Sequence, residues 1–228
     1  MMKVLELNNL VKIYNDSEVK VKAVDGVNLS FAKGEFAAIV GPSGSGKTTL
    51  LNLIGGLDSA TEGEILVDGT NIAKLSPSKL IDFRLRNIGF VFQAYNLIPV
   101  LTAKENVEFI MELQGAKRTL RDERAMELLN AVGLGDRANS RPSKMSGGQQ
   151  QRVAVARALA SKPKFVLADE PTANLDSKST ETLLDIMENL NKEEGITFIF
   201  STHDQRVVKK AHRVITVEDG RVVSDEKK

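Results

Sequence analysis

The segment Gly41-Pro42-Ser43-Gly44-Ser45-Gly46-Lys47-Thr48 directly follows the apolar run Phe36–Val40. It fits the pattern G-x-x-x-x-G-K-[ST] between a buried strand and a helix, the context that this pattern requires. Its glycines let backbone N–H groups surround phosphates, Lys47 supplies a cation for the β- and γ-phosphates, and the Thr48 hydroxyl is a ligand for Mg²⁺. The predicted phosphate-binding residues are Gly41, Ser43, Gly44, Ser45, Gly46, Lys47, Thr48 and Thr49. The segment therefore predicts a nucleotide site in an α/β protein.

The composition excludes several classes of protein. The chain has 228 residues, 31 basic and 30 acidic side chains, two His and no Cys. Without Cys there is no disulfide framework, thiolate zinc site or cysteine nucleophile. A net charge of +1 argues against sequence-blind nucleic-acid binding, so no nucleic-acid partner is expected. The longest apolar runs have about five residues and the N-terminus lacks a signal-like apolar run, so we expect an intracellular protein whose membrane role depends on a partner.

Hydrophobic periodicity divides the chain into three parts. The first third alternates like half-buried strands at Val4–Leu7, Val24–Phe31 and Glu64–Asp68, and from Thr102 to about Leu134 the period becomes helical. The last third is predicted as strand Phe165–Ala168, helix Lys178–Asn191, strand Thr197–Phe200, helix Gln205–Lys210, strand Val214–Val217 and a polar tail Asp225–Lys228. Strands separated by helices indicate a parallel sheet.

A phosphate-binding loop needs a carboxylate for Mg²⁺ and a group that activates water. Asp169 and Glu170 end an apolar strand and supply both, with Asp169 at the metal and Glu170 at the attacking water. Gln93, after the strand Ile88–Phe92, offers an amide to Mg²⁺ and the water, and His203 is expected to contact the γ-phosphate or Glu170. Taken alone, the acidic pair, the glutamine and the histidine are more often structural, and only the loop motif favours catalysis.

A second glycine-rich segment, Ser146-Gly147-Gly148-Gln149, opens the predicted helix Ser146–Ala160. Its N–H groups and hydroxyl favour an anion. The alternative is that Ser146 is only an N-cap. A cap does not require two glycines followed by Gln149–Arg152, so we prefer the anion-binding interpretation.

In this order the motifs resemble those of the nucleotide-binding subunits of ABC transporters, over essentially the whole chain. They are Walker A at Gly41–Thr48, the Q-loop at Gln93, the signature at Met145–Gln149, Walker B at Phe165–Asp169 with Glu170, the D-loop at Asn174–Asp176 and the H-loop at His203. Met145 stands where the family usually has Leu. The resemblance implies that Tyr14 stacks on adenine, although an aromatic residue on a β edge explains Tyr14 equally well. Phe90–Pro99 and Ser146–Arg152 most resemble lipoprotein-releasing, macrolide-export and cell-division subunits.

The resemblance implies an α/β fold, with a P-loop NTPase core built on a parallel sheet, an antiparallel β subdomain and an inserted α-helical subdomain. Residues 1–228 are expected to form a single ABC ATPase domain. The nucleotide-binding core and β subdomain would occupy about 1–93 and 162–228, and the helical subdomain about 94–161.

The resemblance also implies ATP hydrolysis to ADP and phosphate in a head-to-tail homodimer. Glu170, His203 and Gln93 would be catalytic, and Thr48, Gln93 and Asp169 would hold Mg²⁺. The partners' signature residues Ser146, Gly147, Gly148 and Gln149 would bind each ATP. A separate integral membrane permease is implied, with this chain cytoplasmic and peripheral on the inner face of the cell membrane. Tyr95–Leu101 is the candidate docking surface, with internal packing as the even alternative.

Other functions remain open at this point. One is a non-transporting mechanical regulator of a cell-division complex, whose ATPase would have the same sequence. A soluble ABC ATPase acting on DNA or ribosomes is less favoured, because the chain has one Walker A and no heptad run. A kinase with the same loop is disfavoured by the signature and the D-loop.

Overall fold

The computed structural model describes residues 2–15 and 20–228. The loop expected after Tyr14 falls at residues 16–19, outside the described residues. The strands are β1 (Lys3–Tyr14), β2 (Val21–Ala32), β3 (Phe36–Val40), β4 (Glu62–Val67), β5 (Thr70–Asn71), β6 (Ile88–Val91), β7 (Phe165–Asp169), β8 (Phe198–Ser201), β9 (Arg213–Glu218) and β10 (Arg221–Lys227). The α-helices are α1 (Lys47–Ile54), α2 (Pro77–Asn87), α3 (Ala103–Leu113), α4 (Arg118–Ala131), α5 (Gly147–Ala160), α6 (Ser177–Glu194) and α7 (Gln205–Lys210).

Two sheets carry the fold. An antiparallel sheet has the order β2-β1-β4-β5, and a six-stranded sheet has the order β10-β9-β3-β8-β7-β6. In the larger sheet β3 pairs in parallel with both β8 and β9, and β7 pairs in parallel with β6 and β8. Only β10 runs antiparallel to its neighbour. The α/β class with a parallel core and an antiparallel β region is confirmed.

Alternation along β3 assigns its side chains to two cores. Phe36 and Ala38 belong to the core that faces α3, α4, α5 and α6, whereas Ala37 and Ile39 face α1 and the antiparallel sheet. Successive side chains of a strand point to opposite faces, so a strand covered on both faces is apolar throughout. The continuous apolar run before the phosphate-binding loop is thereby explained.

The helical region between β6 and β7 is interrupted where the sequence has glycine. Gly115 and Gly133 have positive φ angles of 77° and 68°, and they follow the ends of α3 and α4. Glycine adopts this left-handed conformation without the steric cost that a Cβ brings. The predicted helical period between Thr102 and Leu134 is thus confirmed as two helices.

Three elements differ from the sequence prediction, which includes neither the short strand β5 nor α2 and β10. The helix α2 was not predicted, because each of its residues is exposed or half-buried and its few apolar residues alternate with charged ones. The predicted polar tail Asp225–Lys228 is wrong as far as Lys227, since these residues belong to β10. An edge strand with solvent on one face can be polar, and its pairing with β9 is what makes it a strand. Within the described residues, no helix combines the length and the hydropathy that crossing a bilayer would demand.

Candidate functional site

The carboxyl ends of four neighbouring parallel strands meet at one edge of the larger sheet. The phosphate-binding loop follows β3, Gln93 follows β6, Glu170 follows β7 and His203 follows β8. In open parallel sheets ligands bind outside these strand ends, at the place where the connections diverge. The topology thus brings together residues that are far apart along the chain.

The loop between β3 and α1 depends on glycine at its last turn. Gly46 has φ of 99°, and a Cβ built there would lie 2.2 Å from the backbone oxygen of Ala23. Only glycine fits this position, because both the conformation and the neighbouring backbone exclude a side chain. The fully described helix α1 has no side-chain cap, so its first N–H groups are left for a ligand.

The side chain of Lys47 contacts the loop that precedes it. Its Nζ donates to the carbonyl oxygens of Gly41 and Pro42, at 2.8 Å each, and only 8% of the residue is exposed. The buried hydroxyl of Ser45 has no hydrogen-bond partner among the described residues. A buried cation beside an unsatisfied hydroxyl and unpaired helix amides is suited to phosphate oxygens.

Ligand pockets in proteins usually measure about 300 to 1,000 Å³, and the cavity at this edge measures 830 Å³. Its walls include the loop, Gln93, Glu170 and His203. Sequence reasoning did not foresee the opposite wall, made by Val21, Lys22, Ala23, Asp219 and Gly220. Those residues lie on β2 and the β9–β10 turn, and no local motif announces them.

Glu170 is held in a strained and well-defined position. Its φ of 44° lies in the left-handed region, which costs a non-glycine residue on the order of 1 kcal/mol or more. Its N–H donates to the carbonyl of Ser201 at 2.8 Å, and its Oε2 accepts from the hydroxyl of Thr202 at 3.1 Å. Its Oε1 lies 2.7 Å from Nδ1 of His203. The predicted contact between Glu170 and His203 is present, and Thr202 is an addition that the sequence did not suggest.

Asp169 lies beside the hydroxyl of Thr48, which donates to its Oδ1 at 3.3 Å. Burial raises the pKa of Asp169, and the negative charge of Glu170 raises it further. A nearby cation would stabilise the ionised form of such a carboxylate. The donor set of Thr48, Asp169 and Gln93 is made of oxygens, and it leaves room for water and phosphate, as Mg²⁺ prefers. These residues therefore fit a magnesium ion.

Gln93 is exposed on a segment whose backbone is fixed from two sides. The side-chain amide of Asn174 donates to the carbonyl of Gln93 at 3.1 Å. The fully buried Gln151 on α5 donates to the carbonyl of Phe92 at 3.3 Å and to that of Pro171 at 2.8 Å. The sequence predicted the side chain of Gln93 as functional but gave no sign of these long-range contacts.

The signature segment is stabilised by hydrogen bonds between its own residues. The Ser146 hydroxyl accepts from the N–H of Gln149 at 3.3 Å, and the Gln149 side chain accepts from the N–H of Ser146 at 2.9 Å. This reciprocal capping box begins α5, so the N-cap interpretation of Ser146 is correct as far as the fold is concerned. In the described part of the chain, the lining of the 830 Å³ cavity includes none of Ser146–Gln149.

Tyr14 ends β1 near the loop. Its hydroxyl donates to Oδ2 of Asp58 at 2.8 Å, and Nζ of Lys12 lies 4.8 Å from the centre of its ring. Burial raises the pKa of Tyr14, and the hydrogen bond to Asp58 raises it too, while Thr49 acts in the opposite direction. Thr49 itself lines the cavity. Tyr14 is thus next to the cavity, fixed by two charged residues that the sequence did not connect with it.

Comparison with known proteins decides the family. The family model described as ABC transporter matches residues 24–173, more than half of the chain. The chain belongs to the ABC transporter family. It is an ATP-binding subunit of that family and an ATPase, and the resemblance of the motifs is confirmed at this level.

Some relatives of this ABC ATPase match along nearly their whole length, whereas others are much longer than this chain. An uncharacterized ABC transporter ATP-binding protein of Thermotoga maritima is 48% identical over 228 residues, which are 100% of this chain and 97% of the relative. A macrolide export ATP-binding/permease protein of Hyphomonas neptunium is 47% identical over 97% of this chain, but those residues are only 34% of the larger relative. A macrolide export relative therefore contains much more than this cassette.

A solved structure confirms the fold of the ABC ATPase. The ATP-binding cassette MJ0796 of Methanocaldococcus jannaschii, a dimer in a post-hydrolysis state bound to ADP and phosphate, has a TM-score of 0.89 with this chain. The two are 45% identical, and the match covers 98% of each chain. A second structure of the same cassette is also dimeric.

Proposed function

We propose that the chain binds ATP with its triphosphate along Gly41–Thr48 and hydrolyses it with Glu170 as the general base. The observation that carries the proposal is the pairing of Glu170 with Thr202 and His203 at the wall of the same cavity that Lys47 borders. Glu170 takes a proton from the attacking water, and His203 orients the carboxylate and contacts the γ-phosphate. Lys47 exchanges its loop carbonyls for phosphate oxygens when the nucleotide binds.

Magnesium completes this proposal. Thr48, Asp169 and Gln93 would hold the ion, which neutralises charge on the β- and γ-phosphates. The raised pKa of Asp169 supports the assignment, because a buried carboxylate beside a second carboxylate is stabilised by a divalent cation. The amide of Gln93 has the further task of orienting the water.

Tyr14 is proposed as the platform for adenine. Its place beside Thr49 at the edge of the cavity supports this role, and Asp58 and Lys12 would hold the ring in a fixed orientation. Stacking needs the ring and not the hydroxyl. Tyr14→Ala should therefore raise the Kd for ATP about 10-fold, whereas Tyr14→Phe should change it less than about 3-fold.

The active form is proposed to be a head-to-tail homodimer. Ser146–Gln149 open a helix with an anion-binding start, yet they lie outside the lining of the chain's own cavity. In a head-to-tail pair the signature of one copy covers the nucleotide of the other. The dimeric state of the solved relative supports this arrangement. ATP favours the closed pair since it contacts both copies only there, and hydrolysis removes that preference.

Mixing two inactive variants tests the shared site. Lys47→Ala removes the cation of the phosphate-binding loop, and Ser146→Arg places a bulky cation at the signature. Each variant alone should lose at least about 100-fold in kcat. Their 1:1 mixture should recover a substantial part of the activity, because the mixed dimer contains one site with an intact loop and an intact signature. A mixture as inactive as its components would contradict the head-to-tail dimer.

The dimer is further proposed to drive a separate membrane permease from the cytoplasmic face, in an export system of the lipoprotein-release or macrolide-efflux type. The names of the macrolide export relatives and their larger size support a membrane partner. The division of the chain into a core of about 1–93 and 162–228 and a helical part of about 94–161 belongs to the same proposal. An apolar groove of 450 Å³ between those parts, which includes Asn96 and Ile98 of the predicted docking segment, is the proposed contact.

The membrane partner can be identified directly. The tagged chain is expressed in the organism that produces it and is purified from detergent-solubilised membranes. An integral membrane protein should co-purify with it, and mass spectrometry should identify that protein. Ile81 lies in the groove and is 63% exposed, whereas Val223 on β10 is 55% exposed and lies outside it. Ile81→Asp should release the membrane protein and Val223→Asp should not. Retention by both variants would remove the groove from the proposal.

A further inference from the structure

The five residues Phe92–Asn96, which surround Gln93, have every backbone carbonyl occupied. The carbonyls of Phe92 and Gln93 accept from the side chains of Gln151 and Asn174. The carbonyl of Ala94 accepts from the N–H of Asn96 at 2.6 Å. The remaining two carbonyls are those of Tyr95 and Asn96, and a single side chain, Arg157 of α5, donates to both.

Arg157 stabilises a part of the backbone that has an unfavourable conformation. Tyr95 and Asn96 have φ angles of 57° and 51°, so two consecutive non-glycine residues are left-handed. Such a pair costs on the order of 1 kcal/mol or more per residue and persists only where neighbouring groups enforce it. Nη2 of Arg157 donates to the Tyr95 carbonyl at 2.8 Å, while Nη1 donates to that of Asn96. One rigid, planar guanidinium therefore fixes both carbonyls of the strained turn.

The guanidinium of Arg157 is partly desolvated, and carbonyl oxygens of the turn face its charge. Burial lowers the pKa of Arg157, and in residues 2–15 and 20–228 no carboxylate pairs with it. A desolvated guanidinium without a counter-ion is costly unless carbonyl dipoles solvate it. The same side chain borders the apolar groove between α2, α3 and α5. It therefore lies between the groove and the turn that leads back to Gln93.

We propose that Arg157 is a positioning residue for hydrolysis, which sets the side chain of Gln93 at the nucleotide by fixing the turn Tyr95–Asn96. This inference rests on the role proposed above for Gln93. Loss of the guanidinium frees the turn, misplaces Gln93 and slows hydrolysis, while the phosphate loop that binds ATP is untouched.

A double-mutant cycle tests the inference in the isolated chain. Arg157→Met keeps much of the side-chain volume and should lower kcat about 10-fold, with the KM for ATP changed less than about 3-fold. In the Gln93→Ala background the same substitution should change kcat less than about 2-fold, because there is no longer a glutamine to position. A role in folding alone would slow both backgrounds equally.

Arg152 is the matched control, since it also lies on α5 and donates to a backbone carbonyl, that of Val132 at 2.9 Å. Arg152→Met should leave kcat within about 2-fold of the unchanged chain. If Arg157→Met does not fold, as judged by circular dichroism, Arg157→Lys takes its place in the cycle, with an expected loss in kcat of about 3-fold because one ammonium cannot reach both carbonyls with the same geometry.

The outcomes separate the inference from its premise. An equal loss of kcat from Arg157→Met in both backgrounds, with Gln93→Ala itself slow, overturns the inference and leaves the role of Gln93 intact. Normal turnover by Gln93→Ala overturns both. Loss confined to the background that has Gln93 supports both.

Discussion

The chain has two glycine-rich helix starts that look alike in sequence and differ in structure. At α1 the N-cap is the left-handed Gly46, and no side chain caps the helix, which is described in full. At α5 the N-cap is Ser146, in an extended conformation and within a complete capping box. The first start borders an 830 Å³ cavity with Lys47 beside it, and the second does not line that cavity within the described residues.

The difference lies in which backbone groups are already satisfied. A helix start without a cap leaves its N–H groups to a ligand, so α1 is built to receive phosphate. In α5 the hydroxyl of Ser146 already accepts from the N–H of Gln149, so this start offers fewer N–H groups to a ligand than α1 does. We therefore propose the first start as a binding site within one chain. The second is a stable surface that we propose acts on the nucleotide of another copy.

The largest effect is expected at the α1 side of this comparison. Glu170→Gln removes the proposed base but keeps the phosphate loop, so kcat should fall by about 10² to 10⁴ while ATP still binds. ATP should then hold the chains in the closed dimer. Gel filtration should show double the mass with ATP and the single mass without it. A variant that turns over normally, or stays monomeric with ATP, would break the assignment of Glu170.

Alanine substitutions of Gly46 and Gly147 compare the two helix starts by their effect on the free energy of unfolding. Gly46→Ala places Cβ 2.2 Å from the backbone oxygen of Ala23 at a positive φ, and should lower the free energy of unfolding by about 3 kcal/mol or prevent folding. A Cβ at Gly147 lies 2.7 Å from the hydroxyl of Tyr95, which is the far end of a long side chain and not backbone. Gly147→Ala should cost less than about 1 kcal/mol by urea denaturation. Equal costs would contradict the distinction.

Removal of the Ser146 cap separates its structural role from the proposed role in binding. Ser146→Ala should lower the free energy of unfolding by about 1 kcal/mol. Thr102 begins α3 with the same kind of capping box with Glu105, and Thr102→Ala should cost a similar amount. Only Ser146→Ala should weaken ATP-dependent dimerisation, measured by gel filtration. Identical dimerisation of the two variants would reduce Ser146 to a cap.

The smallest expected effect is a difference in pH dependence between Asp204, near the nucleotide site, and the cap at Ser146. Asp204 follows His203, and its pairing with Arg206, together with the hydrogen bond that it accepts from Thr172, lowers its pKa to about 2. Since the folded pKa is below the ordinary value of 3.8, its contribution is present above about pH 4 and is lost as the pH falls toward 2. The cap at Ser146 is neutral and does not titrate in this range.

The unfolding free energy of Asp204→Asn should therefore be below that of the unchanged chain at pH 7, by roughly 0.5–1 kcal/mol after screening by solvent. That gap should close between about pH 4 and 2. Ser146→Ala should keep its deficit over the same range. A gap for Asp204→Asn that does not depend on pH would show that its ion pair contributes nothing.

Sequence reasoning succeeded where a function depends on short segments. The strand, loop and helix around Lys47 could be predicted because apolar periodicity and turn chemistry act over a few residues. His203 was expected to contact the γ-phosphate or Glu170, and the contact with Glu170 forms because the parallel strands β7 and β8 end at the same edge. The helix α2 was missed because it buries no residue, and β10 because its identity as a strand comes from β9.

The sequence by itself determined the α/β class, the phosphate-binding loop and the family, because each depends on residue types at fixed local spacing. The tertiary structure alone decided how these parts are held. Arg157 reaches the turn after Gln93 across about 60 residues of chain, and Asp58 reaches Tyr14 across 44. Hydrogen bonds between distant segments have no local pattern, because side-chain reach and backbone position, and not sequence spacing, determine which carbonyl a donor meets.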